Sequence, residues 1–308
     1  MALATSSVFP GFAFTKTIHH APYPAISPLR PELSQAGRTA LITGGSTGIG
    51  FAIAKAYAQA GAERIIILGR RRELVQSAIA RLESEYPGVH LTGRVCDVTN
   101  LAAVEELWIS FEKDRVFIDV LVLNAAKVSP AEPLLVLGRD TVLDDFNMNV
   151  RSHMDFAERL CKQPGGKTRA KALVNVSTQA IHDFNIAGKL PNYTLTKNAG
   201  TLLVQMIAKD VSSLELQVVS FHPGGIFTEG TQSGGWKKDD FPWDDENLPG
   251  QFALWAASPE ARFLHGRFVW AGWDVNELQE GELRERIDQD EYFLRVGVVG
   301  IQEWEKRN

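Results

Sequence analysis

A tyrosine and a lysine stand four residues apart in the segment Tyr193-Thr194-Leu195-Thr196-Lys197. Four residues are close to one helical turn, so on a helix both side chains lie on the same face. An ammonium group beside a phenol favours the phenolate, and we therefore expect the pKa of Tyr193 to fall below about 10. Such a phenol can act as a general acid or base near neutral pH. Because this spacing also occurs by chance, its meaning depends on the surrounding fold.

A glycine-rich segment, Thr43-Gly44-Gly45-Ser46-Thr47-Gly48-Ile49-Gly50, follows a short apolar run and precedes an expected helix. In that context glycines allow the backbone to approach a pyrophosphate at the helix N-terminus. The alternative is a turn that serves only tight packing between strand and helix. The cofactor interpretation predicts that the dinucleotide is bound by Gly44, Ser46, Thr47, Gly48, Ile49 and Gly50.

Three arginines, Arg70, Arg71 and Arg72, follow the second expected strand and Gly69. Dinucleotide folds place either an acid here for the ribose 2′-hydroxyl of NAD or an arginine for the 2′-phosphate of NADP. No acid is present, and a guanidinium at Arg70 can bind the phosphate through two hydrogen bonds. We therefore expect NADP to be preferred, with NAD still possible. Arg71 and Arg72 are expected to form the solvated start of the next helix.

Short apolar segments alternate with longer, helix-like segments from residue 39 onward. The strands are expected at 39–42, 64–68, 90–96, 119–123, 172–176, 215–221 and 267–270. The helices are expected at 51–60, 73–85, 101–113, 143–162 and 193–211. This alternation predicts an α/β fold with a doubly wound parallel sheet of the Rossmann type.

The chain divides into three parts by composition. Five of the fourteen prolines precede residue 32, which predicts an irregular arm over residues 1–37. Residues 38–275 form the expected dinucleotide-binding catalytic domain, and a charged tail follows over 276–308. Within the domain, residues 229–250 lack periodicity and are expected to form a substrate loop. Its aromatic residues predict either an apolar substrate pocket or packing of the loop upon itself: Trp236, Phe241 and Trp243.

The overall composition excludes several classes of protein. The 308 residues carry 37 acids and 32 bases, and this net charge of −5 does not favour binding of nucleic acid or an anionic membrane. The sequence has no run of 18 consecutive apolar residues, so no membrane span is predicted. The two isolated cysteines indicate a reduced, cytoplasmic chain. The seven histidines lack ligand-like spacing, so no metal site is expected.

Taken in order, these motifs resemble the short-chain dehydrogenase/reductases of the compact single-domain type over about residues 38–275. The resemblance implies that Tyr193 and Lys197 are the catalytic pair and that Asn149 holds a water of the proton relay. It also implies that Asp97 and Val98 lie at the adenine and that Asn124 and Ala125 lie beneath the adenine ribose. By the same resemblance, the nicotinamide carboxamide is contacted by the segment that contains Pro223, Gly224, Ile226 and Thr228.

Two positions depart from the family pattern. Ala126 replaces the last glycine of the Asn-Ala-Gly segment, which should crowd the backbone only slightly. After the fifth strand the family carries a catalytic serine, whereas this chain has Ser177-Thr178. Alignment places Thr178 at the catalytic position, but the spacing to Tyr193 is two residues longer than expected, so Ser177 competes for the role.

The expected function is an NADP(H)-dependent oxidoreductase that interconverts a ketone and a secondary alcohol, with Tyr193 as general acid/base. The pattern resembles fungal members of the family, which implies a ketoreductase or dehydrogenase of secondary metabolism acting on a hydrophobic small molecule. Family members commonly pair through the segments 148–161 and 193–211, which implies a homodimer or homotetramer. The alternative is a non-redox isomerase or cyclase on the same scaffold.

Overall fold

The computed structural model describes residues 14–164, 170–183, 187–233 and 236–298. The strands are β1 Thr39–Thr43, β2 Arg64–Gly69, β3 His90–Val95, β4 Val120–Leu123, β5 Lys171–Val176, β6 Leu216–His222 and β7 Arg267–Trp270. Within the described residues they form one seven-stranded sheet in the order β3-β2-β1-β4-β5-β6-β7. Every neighbouring pair is parallel, which confirms the predicted doubly wound sheet.

Helices of very different lengths connect these strands or follow the last one. They are α1 Gly48–Gln59, α2 Arg72–Glu85, α3 Leu101–Lys113, α4 Leu134–Phe146, α5 Ser152–Lys162, α6 Pro191–Asp210, α7 Glu229–Ser233, α8 Asn247–Ala256, α9 Val275–Gln279 and α10 Gly281–Gln289. A π-helical turn at Asn147–Arg151 joins α4 to α5. The helical stretch expected from residue 143 therefore begins earlier, at Leu134, with a break in helical geometry at Gly138.

The helices cover both faces of the sheet, and each face has its own apolar core. On one face α1, α2 and α8 contribute Ile53, Leu82 and Phe252, among other side chains. On the other face α3, α5 and α6 contribute residues that include Phe156 and Val204. Burial on both faces explains why the central strands β1, β2 and β4 are nearly continuous apolar runs without alternation. The edge strand β3 is largely exposed and more polar.

The chain reverses its direction of winding at β1. This strand pairs with β2 on one side and with β4 on the other. Helices diverge from such a switch point, and the crevice beyond the carboxyl ends of the strands is where these folds bind ligands. The glycine-rich segment follows β1, and Asn124 follows β4, so both lie at this crevice.

The 229–250 segment is more ordered than its sequence indicates. It contains α7 and the start of α8, whereas we expected no regular structure there. Helix α8 is buried on nearly all sides, so it lacks the amphipathic pattern that would reveal a surface helix. At Gly250 a side chain would come within 2.6 Å of the Ala52 carbonyl oxygen, so α8 packs closely against α1.

The described part of the arm and of the tail packs onto the domain. The arm has two short 3-10 turns and buries Tyr23, Ile26 and Leu33 in the core beside α1 and α8. The described part of the charged tail contains α9, which begins at Val275, and α10. Phe14 of the arm stacks on Trp273 with ring centroids 4.3 Å apart. The predicted arm and tail also include residues 1–13 and 299–308, which lie outside the described residues.

Candidate active site

Tyr193 and Lys197 share one face of α6, as their spacing predicts, at the carboxyl edge of the sheet. Pro191 starts the helix with its ring at the first position, where the missing amide hydrogen costs nothing. The Lys197 ammonium is 2% exposed and donates a hydrogen bond to the Val176 carbonyl at 2.6 Å. Burial lowers the pKa of Lys197 to about 8.

The environment of Tyr193 shifts its pKa in the direction opposite to the one its spacing predicts. Burial raises the pKa of Tyr193 to about 12, against a hydrogen bond with Thr178 that lowers it. The Lys197 ammonium is hydrogen-bonded to the end of β5, and desolvation is the largest influence on the pKa of the Tyr193 phenol. The phenol is therefore neutral at neutral pH, which is the protonated form a general acid requires.

The two hydroxyl residues after β5 point to different partners. Ser177 is 2% exposed, and its Oγ lies 2.6 Å from Oγ1 of Thr201 on α6, inside the protein. Thr178 instead hydrogen-bonds with Tyr193 and accepts a hydrogen bond from the Ala180 amide at 3.3 Å. The fold thus brings the Thr178 hydroxyl to the phenol, while that of Ser177 is used in packing β5 against α6.

Asn149 lies fully buried in the π-helical turn between α4 and α5. Its Oδ1 accepts from the Lys127 amide and its Nδ2 donates to the Lys127 carbonyl, both at 2.9 Å. The same Nδ2 lies 2.9 Å from Oγ1 of Thr196, next to Lys197 in the chain. A side chain at Gly200 would come within 2.4 Å of the Asn149 carbonyl oxygen, so glycine allows α6 to approach this turn closely. Asn149 thus connects the loop after β4 to the helix that carries the phenol.

Sequence reasoning missed a buried acid that holds the first turn of α6. Asp145 on α4 is fully buried, and its Oδ2 accepts a hydrogen bond from Asn192 at 2.7 Å. Lys127 lies 3.5 Å from the other carboxylate oxygen. Because Asn192 precedes Tyr193, this contact helps to set the position of the phenol. Asp145 carries no spacing signal, since its partner lies 47 residues away.

The glycine-rich segment has the geometry that a pyrophosphate site requires. Helix α1 begins at Gly48, and its cap residue Thr47 makes no side-chain cap hydrogen bond, so first-turn amides are available to an anion. A side chain at Gly50 would meet the Gly44 carbonyl oxygen at 2.1 Å. Asn124 donates to the carbonyls of Thr43 and Gly44, both at 3.0 Å, and so braces the turn. Ser46, Ile49 and Ala125 lie on these same segments.

The residues expected around the adenosine also come together beyond β2 and β3. The Asp97 carboxylate accepts hydrogen bonds from the Thr99 amide and hydroxyl, which lower its pKa against the opposing effect of burial. The charge of Arg70 adds to this lowering, which places its exposed guanidinium near Asp97. Val98 is buried beside them. These residues fit the adenosine half of a dinucleotide.

Arg71 does more than begin the next helix. It forms two hydrogen bonds to the Glu229 carboxylate, and the longer one measures 2.6 Å. Glu229 is the first residue of α7, so this exposed pair joins the loop after β2 to the 229–250 segment. Arg71 is also the exposed cap residue at the start of α2, as expected, so its pairing with Glu229 is an additional role.

The segment from Pro223 to Thr228 leaves β6 at the same crevice. Gly224 has a φ of +96°, and Ile226 is 4% exposed. A side chain at Gly48 would lie 3.1 Å from Cγ2 of Thr228, so this segment crosses in front of the first turn of α1. The catalytic pair, the glycine-rich segment and the segment after β6 thus surround one crevice.

The aromatic residues of the 229–250 segment pack against one another. The ring centroid of Phe241 lies 4.9 Å from that of Trp236 and 5.4 Å from that of Trp243. Trp243 also contacts Phe227 at 5.4 Å. Of the two alternatives for these residues, the contacts observed are those of packing within the segment, with Trp236 still 45% exposed.

Other features of the described residues lie away from this crevice. A cavity of about 730 Å³, lined by Trp108, Phe111, Val116 and Phe117, lies between α3 and α5 at the opposite edge of the sheet. Among the described residues, no group of three or more metal-ligating side chains comes together. No helix in the described ranges has the length and apolar character needed to span a membrane.

Comparison with known proteins identifies the family. Residues 38–238 match the short chain dehydrogenase family. The short chain dehydrogenase/reductase nsrO of Aspergillus novofumigatus (strain IBT 16806) is 35% identical over 291 residues, covering 92% of this chain and 96% of that one. A short chain dehydrogenase/reductase of Claviceps purpurea (strain 20.1) is 38% identical over 291 residues, covering 92% and 94%.

Solved structures share the fold. The L-sorbose reductase of Gluconobacter frateurii, complexed with NADPH and L-sorbose, superimposes with a TM-score of 0.69 at 22% identity, covering 78% of this chain and 96% of that one. At this identity the likeness concerns the fold alone, which is also the fold derived above from the strand order. The matched residues, the full-length relatives and the shared fold lead to one conclusion: the chain belongs to the short-chain dehydrogenase/reductase family and is an NAD(P)-dependent oxidoreductase that acts on a small molecule.

Proposed function

We propose that this protein is an NADP(H)-dependent oxidoreductase that interconverts a ketone and a secondary alcohol by hydride transfer. The observation that carries the proposal is the meeting of Thr178, Tyr193 and Lys197 at the carboxyl edge of the sheet, beside the glycine-rich segment. A nicotinamide bound there would supply or accept the hydride.

In reduction, the neutral phenol of Tyr193 donates its proton to the carbonyl oxygen as negative charge develops on that atom. Its pKa of about 12 keeps it protonated until that charge appears. The Thr178 hydroxyl holds the same oxygen and stabilises the developing charge, because it already points to Tyr193. We assign this role to Thr178 and not to Ser177, whose hydroxyl is engaged with Thr201.

The remaining catalytic residues orient the phenol and return its proton. Lys197 binds the nicotinamide ribose and places its charge at the base of the site, where Val176 holds the ammonium. Asn149 keeps the turn before α5 in place through its bonds to Lys127, so that its backbone can hold a water leading to solvent. Oxidation of an alcohol follows the same path in reverse.

NADP is the proposed cofactor, with NAD as the alternative. Arg70 is exposed beyond β2 and electrostatically coupled to Asp97, so it can bind a 2′-phosphate at the adenosine end. The L-sorbose reductase with the same fold is complexed with NADPH, which agrees with this preference. The dinucleotide would be held by the glycine-rich segment, by Asn124 with Ala125, and by the segment from Pro223 to Thr228.

The proposal extends to the substrate class, the oligomeric state and the cellular location. Similarity to the fungal relatives supports a ketoreductase or dehydrogenase of secondary metabolism with a hydrophobic substrate. Exposed apolar side chains on α5 and α6 support pairing into a homodimer or homotetramer: Met154, Leu202 and Met206. We also propose that the chain divides into an arm (1–37), a catalytic domain (38–275) and a tail (276–308). The proposed location is cytoplasmic.

The test is to mix the purified full-length chain with a panel of bulky and small ketones and to follow the absorbance of NADPH or NADH. We expect NADPH to be consumed in equal amounts with alcohol formation, and NADH to be used less efficiently. Product formation without consumption of either cofactor would overturn the redox assignment in favour of an isomerase or cyclase. Faster consumption of NADH than of NADPH would contradict the role given to Arg70.

A further inference from the structure

Asp244, which is not one of the expected site residues, holds the backbone just after β6 through hydrogen bonds. The Gly225 amide donates to Oδ2 of Asp244 at 2.7 Å, and the Asp244 amide donates to the Gly225 carbonyl at 2.8 Å. A side chain at Gly224 would place its Cβ 2.4 Å from the same Oδ2, so the carboxylate occupies the open side of that glycine. Asp244 therefore restrains both glycines between Pro223 and Ile226.

The second oxygen of this carboxylate is held by the N-terminal arm. Nδ1 of His20 lies 2.6 Å from Oδ1 of Asp244. The carbonyl of His20 also accepts a hydrogen bond from the Asp245 amide at 2.8 Å. The carboxylate is only 8% exposed, while the imidazole is 64% exposed. An arm residue thus covers a nearly buried acid and binds two successive residues of the 229–250 segment.

The arm keeps His20 in this position through its neighbours. The His19 amide donates to the Gly272 carbonyl at 2.7 Å, and its ring lies 2.8 Å from the Asp274 carboxylate. The same ring stacks on Tyr23 with centroids 3.5 Å apart. Tyr23 in turn bonds to the backbone beyond β7, accepting from the Val275 amide at 3.1 Å. The imidazole of His20 is therefore presented by an anchored segment.

We propose that Asp244 is a positioning residue for the nicotinamide end of the cofactor and that the N-terminal arm, through His20, holds Asp244 in its working position. This inference rests on the proposed function, in which the segment from Pro223 to Thr228 contacts the nicotinamide carboxamide. Two hydrogen bonds between Asp244 and Gly225, one donated by each residue, limit the motion of a backbone that has two successive glycines and would otherwise be unusually free. A restrained backbone loses less conformational entropy when it binds its ligand.

The arrangement predicts where affinity is lost when the clamp is removed. The residues that fit the adenosine lie beyond β2 and β3, whereas Asp244 holds the segment after β6, and β1, β4 and β5 lie between β2 and β6 in the sheet. Loss of the clamp should therefore weaken binding of the intact cofactor and leave binding of its adenosine half unchanged. A general loosening of the fold would weaken both.

The experiment measures dissociation constants of the full-length chain for NADPH and for adenosine 2′,5′-bisphosphate, which lacks the nicotinamide. We expect Asp244→Ala to raise the NADPH constant about tenfold and His20→Ala about threefold. The double variant should bind no more weakly than Asp244→Ala alone, since both act through one carboxylate. Adenosine 2′,5′-bisphosphate should bind every variant within about twofold of the unchanged chain.

Conservative and matched variants sharpen the result. Asp244→Asn keeps an oxygen for the Gly225 amide and can pair with one tautomer of His20, so it should retain NADPH affinity. Asp140→Ala and His90→Ala remove an exposed aspartate and an exposed histidine elsewhere and should change neither constant. Unchanged NADPH affinity in Asp244→Ala would overturn the inference, as would a parallel loss for both ligands. Failure of the unchanged chain to reduce ketones while binding NADPH would refute the proposed function only.

Discussion

The catalytic centre and the arm contacts differ in how far apart in the chain their partners lie. At the catalytic centre Ser177 and Thr201 are 24 residues apart, and Asn149 and Thr196 are 47 apart. At the arm His20 and Asp244 are 224 residues apart, and His19 and Asp274 are 255 apart. The first set joins neighbouring elements between β4 and β6, whereas the second joins the N-terminal arm to segments after β6 and β7.

This difference separates reacting groups from the groups that support them. Tyr193 and Lys197 are brought to one face by a single helix, α6. Asp244 instead contacts Gly225 after β6 and His20 of the arm, so its position depends on how separate segments pack together. We therefore expect changes at the catalytic centre to affect the chemical step, and changes in the arm to affect stability and ligand positioning.

The substitution Tyr193→Phe tests most directly whether the catalytic centre controls the chemical step. We expect kcat for ketone reduction to fall about 10³-fold, because phenylalanine keeps the aromatic ring but lacks the hydroxyl that donates the proton. NADPH binding, measured by fluorescence titration, should stay within about twofold of the unchanged chain. Tyr292→Phe, at a site 63% exposed in the tail, is the matched control and should leave kcat unchanged. Surviving turnover in Tyr193→Phe would assign the proton to another group.

Substitution of the two adjacent hydroxyl residues separates catalysis from packing within the centre itself. Thr178→Ala should lower kcat about 10²-fold, since it removes a donor at the developing oxyanion. Ser177→Ala should leave kcat nearly unchanged and lower the free energy of unfolding by about 1 kcal/mol, since it removes the contact with Thr201. Steady-state kinetics and urea denaturation of both variants provide the comparison. The reverse pattern would transfer the catalytic role to Ser177.

Truncation of a buried side chain in the arm tests how much the arm contributes to the stability of the fold. Leu33 is fully buried, so Leu33→Ala should lower the free energy of unfolding by about 3 kcal/mol through the lost apolar contacts and the cavity left behind. At temperatures where the variant is folded, kcat should remain unchanged. Leu29→Ala, at a site 79% exposed in the same arm, should cost less than about 0.5 kcal/mol. Equal stability of the two variants would show that the arm does not contribute to the core.

The pH dependence of reduction tests the electrostatics of the centre. Burial lowers the pKa of Lys197 to about 8, so its ammonium loses the proton as pH rises through that value. At pH 9 only about a tenth of the molecules keep the charge, and we expect kcat to fall by about that factor. Arginine remains charged, so Lys197→Arg should remove the alkaline decline from whatever activity it retains. An unchanged decline in that variant would assign it to another group.

Much of the architecture could be predicted because periodicity and glycine spacing are local properties. The seven strands and the parallel sheet are confirmed, with ends that differ from the expected ones by at most one residue. Helix α8 could not be predicted, since burial on nearly all sides removes the polar face that marks a surface helix. The pKa of Tyr193 was predicted in the wrong direction because spacing to Lys197 says nothing about how completely the phenol is buried.

The sequence alone determined which residue types can transfer a proton and cradle a dinucleotide, because those motifs depend on positions within a few turns of one another. It also determined the fold class, since alternating strands and helices have few ways to pack. Only the tertiary structure decided that Thr178 faces Tyr193, that Asp145 holds the start of α6, and that His20 meets Asp244. Each of these depends on distances between segments far apart in the chain, which are set by packing of the whole domain.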